Sequence, residues 1–487
     1  MSKVSFVDVT LRDGHQSLWA ERMTTGMMLP VAERLDRAGF DALEIFSPSH
    51  VGKCVVELRE DPFARIRLLA ERIRNTPLRL NAGGLNLFGV DQPAMYQLFW
   101  NLMEANGVRE TRISDSWNNP ALWKARASAA RNAGVKPIIN ITYSISPRHT
   151  DEYYAERTRQ AALLAPYRLC LKDPGGLLTP ERTRTLVPTM LAHSEGIPIE
   201  FHSHCTTGLG PLCCLDAVEL GLRIVNTAIP PLANGASLPS VFNVMRNLRA
   251  RGYEHDVDEE CVAPIAAHFT TIVQREGFPI GAPVEYDYAQ YVHQVPGGMI
   301  TNLSHQLRQV GAERRLPAVL EEAVQVRADF GYPIMVTPLS QFVGSQAAIN
   351  VMVGERYKQV TDQVILYALG QHGEDAIALM NPEVRDKILD RPRARELAAV
   401  ARPVLSLAEI RRDLGETVSD EELLLRWLIR KEDIAAMRAT PPVLDYATDS
   451  DPLVGLIADL ARLTDAHTVQ VHKPGLRLTL KKHASAA

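Results

Sequence analysis

Three short stretches of this 487-residue chain carry side chains whose types and spacing suit metal chemistry. The first is Thr10-Leu11-Arg12-Asp13-Gly14-His15-Gln16-Ser17, where a guanidinium, a carboxylate, an imidazole and an amide follow the apolar run 4–9, so a first strand ends by presenting them together. Two later strand ends match it, Leu169-Cys170-Leu171-Lys172-Asp173 and Ile199-Glu200-Phe201-His202-Ser203-His204. Side chains alternate faces along a strand, so His202 and His204 project the same way while Ser203 points elsewhere, and the pair offers two nitrogens to one ion. Asp13 adds an oxygen donor. Lys172 adds an amine, which a nearby cation favours in its neutral form. Asp13, Lys172, His202 and His204 therefore compose a candidate divalent-metal site. Each also has a purely structural reading: a hydrogen-bonded histidine pair, an Arg12–Asp13 ion pair capping the next helix, and Lys172 paired to Asp173 or Asp115.

These side chains need a scaffold that brings distant strand ends together. Eight short apolar, β-rich runs recur at 4–9, 42–46, 78–85, 110–113, 137–143, 167–171, 197–201 and 222–227. Between them lie helical patterns such as Met28, Val31, Ala32, Leu35 and Met95, Leu98, Phe99, Leu102, apolar at i, i+3, i+4 and i+7. Strand and helix alternating eight times is the signature of an α/β fold of the (β/α)8 TIM-barrel type, whose active site lies at the carboxyl ends of the strands. There fall Asp13, Arg112 with Asp115, Lys172, His202 with His204, and Asn226.

After about residue 290 the pattern turns mostly helical, for example 317–326, 339–352 and 421–437, with prolines in several connections. Beyond Pro441-Pro442 a helix at 452–463 and two alternating runs, 467–472 and 476–480, around Pro474-Gly475 predict a helix and a hairpin, followed by a basic, disordered end from Lys481. The expected division is a barrel at 1–290, a helical region at 291–440 and a small helix-hairpin tail at 441–487.

Composition narrows the partners. At 46% apolar and 23% charged, with a net charge of -4, the chain has the makeup of a soluble globular protein and no electrostatic reason to bind nucleic acid or a membrane surface. No run of roughly 18 apolar residues occurs, and the amino terminus lacks the apolar core of a signal peptide. Six cysteines without metal-type spacing suit reduced thiols, so a cytoplasmic location is expected.

The chain resembles the carboxyltransferase domain of biotin-dependent carboxylases that act on 2-oxo acids: pyruvate carboxylase, the transcarboxylase subunit and the oxaloacetate decarboxylase alpha subunit. Five stretches carry the resemblance: 10–17, Leu171-Lys172-Asp173-Pro174-Gly175-Gly176-Leu177-Leu178-Thr179-Pro180, His202-Ser203-His204-Cys205-Thr206-Thr207-Gly208, Pro296-Gly297-Gly298-Met299-Ile300-Thr301-Asn302-Leu303 and Val336-Thr337-Pro338-Leu339-Ser340-Gln341. It implies a barrel capped by a helical funnel and a divalent ion (Zn, Mn or Co) held by Asp13, a carbamate on Lys172, His202 and His204. In the family, carboxybiotin releases its carboxyl group in the site, and a metal-stabilised enolate of the acceptor captures carbon dioxide. Thr301 matches the threonine that shuttles a proton between biotin and substrate, though it could also cap the helix that follows. Gln16 and Arg112 match residues that hold the 2-oxo acid, and Arg12 is expected beside them. The implied activity moves a carboxyl group between carboxybiotin and an enolisable acid of the pyruvate or oxaloacetate kind, in a homodimer served by biotin carboxylase and biotin carboxyl carrier subunits.

Departures from the family pattern cluster away from the metal ligands. The stretch after strand two reads Phe46-Ser47-Pro48-Ser49-His50-Val51-Gly52, with Gly52 where a biotin-associated aspartate is usual; Gly83-Gly84-Leu85-Asn86, Gly89-Val90 and Asn226 are further changes. No Met-Lys-Met biotin acceptor occurs in this sequence, so biotin would arrive on another chain or as a free cofactor, and the tail resembles the helix and hairpin that precede the carrier core in some carrier subunits. Two other readings compete: a biotin-independent, metal-dependent lyase or decarboxylase of the same barrel superfamily, against which Lys172 argues, and a non-catalytic assembly subunit.

Overall fold

Eight parallel strands close into a barrel in the order of the sequence: β1 (Ser5–Asp8), β2 (Ala42–Phe46), β3 (Leu78–Ala82), β4 (Val108–Ile113), β5 (Lys136–Thr142), β6 (Arg168–Asp173), β7 (Ile199–Ser203) and β8 (Ile224–Thr227). The structure is a computed structural model and describes residues 2–85, 92–400, 403–444, 446, 468–473 and 476–481. Closure pairs β1 with β8 in the register Val7↔Asn226 and sets the Asp13 segment beside β8 and β7. All eight expected runs form strands because each is apolar on the face that the surrounding helices cover. The helix Thr25–Arg37 buries Met28, Val31, Ala32 and Leu35, and Pro93–Ala105 buries Met95, Leu98, Phe99 and Leu102. Inside the barrel Arg79 is fully buried and bonded to Glu110 and Glu200.

Two local expectations are corrected. The first strand ends at Asp8, and residues Thr10–Gly14 wind into a π-helical turn that runs into the helix His15–Trp19, so Arg12 and Asp13 project from a turn and not from a strand end. The turn is closed by Gly14 N donating to Val9 O at 3.0 Å. Gly14 is closely packed there, since a Cβ would lie 3.1 Å from the carbonyl oxygen of Leu232. The expected helix 421–437 is two helices, Asp420–Leu428 and Lys431–Ala439, with Ile429 and Arg430 extended between them. On one continuous helix, advancing about 100° per residue, Met437 would stand about 140° round from Leu424. The break lets both residues be buried.

The helices Gly297–Gln309, Leu316–Asp329 and Leu339–Val353 share an apolar core that includes Val319, Val326, Phe330, Phe342 and Tyr367, joined by Trp117 from the barrel. Residues 1–444 form one compact unit and 445–487 a second. In the second, β9 (Thr468–Lys473) pairs antiparallel with β10 (Leu476–Lys481), so the expected hairpin forms and takes in Lys481. The expected helix 452–463, the turn 474–475, residues 482–487 and the stretch Asn86, Gly89, Val90 lie outside the described residues. Among the described residues no helix is long and apolar enough to cross a membrane.

Candidate active site

Asp13, His202 and His204 converge at the carboxyl end of the barrel, all buried, with one potential ligand atom from each lying within 4.8 Å of the other two. His202 Nε2 stands 3.3 Å from Asp13 Oδ2 and His204 Nε2 3.5 Å from Asp13 Oδ1. Strand alternation places both rings there, while Ser203 points the other way and donates to Asp173 Oδ2 at 2.9 Å. His204 Nδ1 lies 2.6 Å from the carbonyl oxygen of Ala236 and donates to it, which leaves Nε2 as an electron-pair donor. His202 Nδ1 meets the donor Arg112 Nη1 at 2.8 Å and the acceptor Asn226 Oδ1 at 3.1 Å; of the two tautomers these contacts serve, the one with its proton on Nδ1, donated to Asn226, is the one that frees Nε2. That Nε2 is buried with no hydrogen-bond partner among the described residues.

Electrostatics prepares the same atoms for a cation. Burial opposes ionisation of Asp13, but Arg12 and the two histidines outweigh it and hold its carboxyl well below the usual range. Burial, reinforced by Arg112, pushes His202 down to about 3, so its ring is neutral. Burial, with Arg112 and Arg12 adding repulsion, lowers Lys172 to about 7. Its amine donates to Ser114 Oγ at 3.1 Å. The alternative partners are occupied elsewhere: Asp173 accepts from Leu177 and Leu178 N–H groups, and Asp115 from those of Trp117 and Asn119.

Around this centre, Glu44 on β2 joins the two arginines. It accepts from Arg12 Nε at 2.5 Å, and from Arg112 Nε at 2.6 Å and Nη2 at 2.7 Å. Burial raises its carboxyl, but Arg112 and Arg12 prevail and hold it at about 2. Arg12 also pairs with Asp13 at 2.6 Å and donates from Nη1 to Gln16 Oε1 at 3.2 Å. Arg12 and Gln16 therefore border the Asp13 carboxylate, and Arg112 borders His202. His15 turns away and packs its ring 4.9 Å from that of His50.

Thr301 lies inside the helix Gly297–Gln309, whose N-cap is Pro296, so it does not cap that helix; its side chain is outside the described residues. Sequence reasoning missed Glu44, Ser114, Asn81 and Asn140. A lone carboxylate within Ala42-Leu43-Glu44-Ile45-Phe46 was the available signal for the first, since an ionised group in an otherwise apolar barrel strand needs a buried partner. At two of the positions that depart from the family pattern there is room among the described residues: a Cβ on Gly52 would meet Ile429 Cδ1 at 3.9 Å, and one on Gly83 the carbonyl oxygen of Ser114 at 3.7 Å.

Comparison with known proteins decides the family. Residues 291–441 match the family described as a conserved carboxylase domain. Over 392 residues, 80% of this chain and 68% of the relative, the sequence is 38% identical to a pyruvate carboxylase subunit of Methanocaldococcus jannaschii. The chain belongs to the biotin-dependent carboxylase family. Its carboxyltransferase relatives include the methylmalonyl-CoA carboxyltransferase 5S subunit of Propionibacterium freudenreichii, 31% identical over 76% of this chain and 74% of the relative. Another is the 2-oxoglutarate carboxylase large subunit of Hydrogenobacter thermophilus, 30% identical over 87% and 66%. The fold is that of the carboxyl transferase domain of Rhizobium etli pyruvate carboxylase, one pyruvate-bound structure of which superposes with a TM-score of 0.83 at 23% identity, covering 100% of this chain and 85% of that one.

Proposed function

We propose that this chain is the carboxyltransferase subunit of a multisubunit biotin-dependent carboxylase or decarboxylase, moving a carboxyl group between carboxybiotin and a 2-oxo acid of the pyruvate or oxaloacetate kind. The observation that carries the reading is the buried convergence of Asp13, His202 and His204 beside the Arg12–Glu44–Arg112 cluster. The donor set fits a divalent cation: an ionised carboxylate, the neutral His202 imidazole, whose buried Nε2 has no hydrogen-bond partner among the described residues, and the His204 ring beside it. Asp13, His202 and His204 would hold it, with a carbamate on Lys172 as the fourth donor. When bound, the ion supplies Lewis-acid stabilisation of negative charge developing on the 2-oxo oxygen.

This chain's own residues account for the remaining work. Arg112 and Arg12, held in place by Glu44, orient the carboxylate of the 2-oxo acid, and Gln16 hydrogen-bonds beside them. Their guanidinium charge stabilises an enolate more strongly than the ketone it comes from, so it lowers the barrier and does not merely tighten binding. Thr301 moves the proton between the acceptor's methyl carbon and biotin. Burial of the site excludes water that would otherwise divert the carboxyl group.

In this reading 1–290 is the catalytic barrel, 291–440 the funnel over it and 441–487 a docking element. Biotin carboxylase and carrier subunits supply the carboxylated cofactor, and the chain works in the cytoplasm as a homodimer. The test is oxaloacetate decarboxylation by metal-loaded protein with and without added biotin, with Thr301→Ala as control. Biotin-stimulated activity lost in that variant is the expected result. Correctly metallated protein with no biotin-stimulated turnover would overturn the 2-oxo acid assignment.

A further inference from the structure

Strand β4 ends at Ile113, and Ser114, immediately after it, sits at the centre of a closed polar network. Lys172 Nζ donates to its Oγ at 3.1 Å and Asn140 Nδ2 donates to it at 2.7 Å. Ser114 Oγ itself donates to Asn81 Oδ1 at 3.0 Å, and that oxygen also accepts from Asn140 Nδ2 at 3.2 Å. Arg126 Nη1 fixes the backbone by donating to Ser114 O at 3.0 Å. A hydroxyl has one proton and two lone pairs. Here the proton is committed to Asn81, one lone pair receives Asn140, and only the other is left for Lys172. Towards the lysine nitrogen Ser114 is therefore an acceptor and nothing else.

That restriction has a chemical use. The lysine nitrogen carries a lone pair when neutral, and after carbamylation it keeps a single N–H in the plane of the new carboxylate. A partner that only accepts takes an N–H in both states and leaves the lone pair free to react. Ser114 follows β4 and Asn140 lies on β5, whereas the register of β6 with β7 sets Lys172 against His202 on the opposite side.

We propose that Ser114, locked by Asn81 and Asn140, is the positioning residue for carbamylation of Lys172. It holds one N–H so that the nitrogen lone pair attacks the carbon of CO2. The N–C bond forms as one C=O electron pair moves to oxygen, and the nitrogen gives one proton to water, leaving Lys–NH–CO2⁻. The remaining N–H stays on Ser114, which turns the carboxylate away from β4 and towards β7. The inference rests on the reading that Lys172 carries a carbamate.

The test is 13C NMR of the whole chain in [13C]bicarbonate, titrated with bicarbonate, with metal stoichiometry measured at each point and Lys172→Ala used to assign the carbamate resonance. Ser114→Ala should require about tenfold more bicarbonate for the same carbamate and metal occupancy, as expected from loss of one hydrogen bond to a reacting nitrogen. Asn81→Ala, which frees the hydroxyl proton without touching Lys172, should shift the titration in the same direction, and Ser114→Thr should restore it. A merely structural role would not respond to bicarbonate. If both Ser114→Ala and Asn81→Ala titrate like the wild type, the role of Ser114 is overturned while the carbamate stands. If the wild type has no Lys172-dependent resonance, the carbamate and this inference fall together.

Discussion

The division of labour among single residues yields separable predictions. Lys172→Ala should abolish turnover and weaken metal retention if, as proposed, its carbamate is the fourth donor. Thr301→Ala should remove turnover and leave metal content unchanged; metal analysis beside the decarboxylation assay distinguishes the two. Glu44 does a different job, since it neutralises two buried guanidinium groups. Glu44→Gln should cost about 3–5 kcal/mol, the usual penalty for leaving buried charge uncompensated. Its pH signature follows from the sign of the shift. The folded carboxyl is depressed from 4.5 to about 2, so its contribution is complete above about 4.5 and lost as the pH falls towards about 2. Acid unfolding of the wild type should therefore steepen over that window, and Glu44→Gln should flatten it; an unchanged profile would mean that Glu44 does not govern it. Asp13, His202 and His204 were legible in the sequence as a group because carboxylate and imidazole donors recur within or shortly after the apolar strand runs. Glu44, Ser114, Asn81 and Asn140 were not, because their importance lies in hydrogen bonds between strands far apart in the chain.

At the level of elements, strand positions were readable to within a few residues, since strands covered on both faces appear as short apolar runs. The turn that carries Arg12 and Asp13 was not. A π-helical turn depends on a bond from Gly14 N to Val9 O that no periodicity announces. The break at Ile429 and Arg430 was readable in principle, because the phase of the buried positions shifts between Leu424 and Met437. The turn makes its own prediction. A Cβ at position 14 would stand 3.1 Å from Leu232 O and 3.2 Å from Leu232 Cβ. Gly14→Ala should thus displace the turn, lower stability by about 1–3 kcal/mol and weaken metal retention, because Asp13 is the adjacent residue. A variant with lowered stability and undisturbed metal retention would show that the turn can yield without moving Asp13.

For the molecule as a whole, the role proposed for Thr301 requires the barrel and the helices after residue 290 to stay in register. Their seam is pinned by an unusual group. Arg327, on the helix Leu316–Asp329, is buried, and its guanidinium donates to Pro333 O and Ile145 O, each at 3.0 Å, and to Ser144 Oγ at 2.9 Å. Burial lowers it to about 10, still protonated at neutral pH. Gln294, just before the helix Gly297–Gln309, grips the same dipeptide, donating to Ile145 O at 2.8 Å and accepting from Ile145 N and Ser144 Oγ at 3.3 Å. The residues after β5 are thus a common anchor for the approaches to both helical motifs, the one bearing Thr301 and the one that begins after Pro333. Arg327→Ala takes the guanidinium donor from Pro333 O and Ser144 Oγ, leaves Ile145 O with Gln294 alone, and opens a cavity at the seam, which should cost about 2–4 kcal/mol. Metal content should be retained, because Asp13, His202 and His204 are held by bonds to Arg12, Arg112, Asn226 and Ala236, which the seam does not supply. Turnover should fall further than stability alone predicts, since the helix carrying Thr301 loses its fixed relation to the barrel. Denaturant unfolding, metal analysis and the biotin-stimulated assay on one preparation decide it: metal lost together with activity would mean that the seam supports the metal site itself and not only the approach of the funnel.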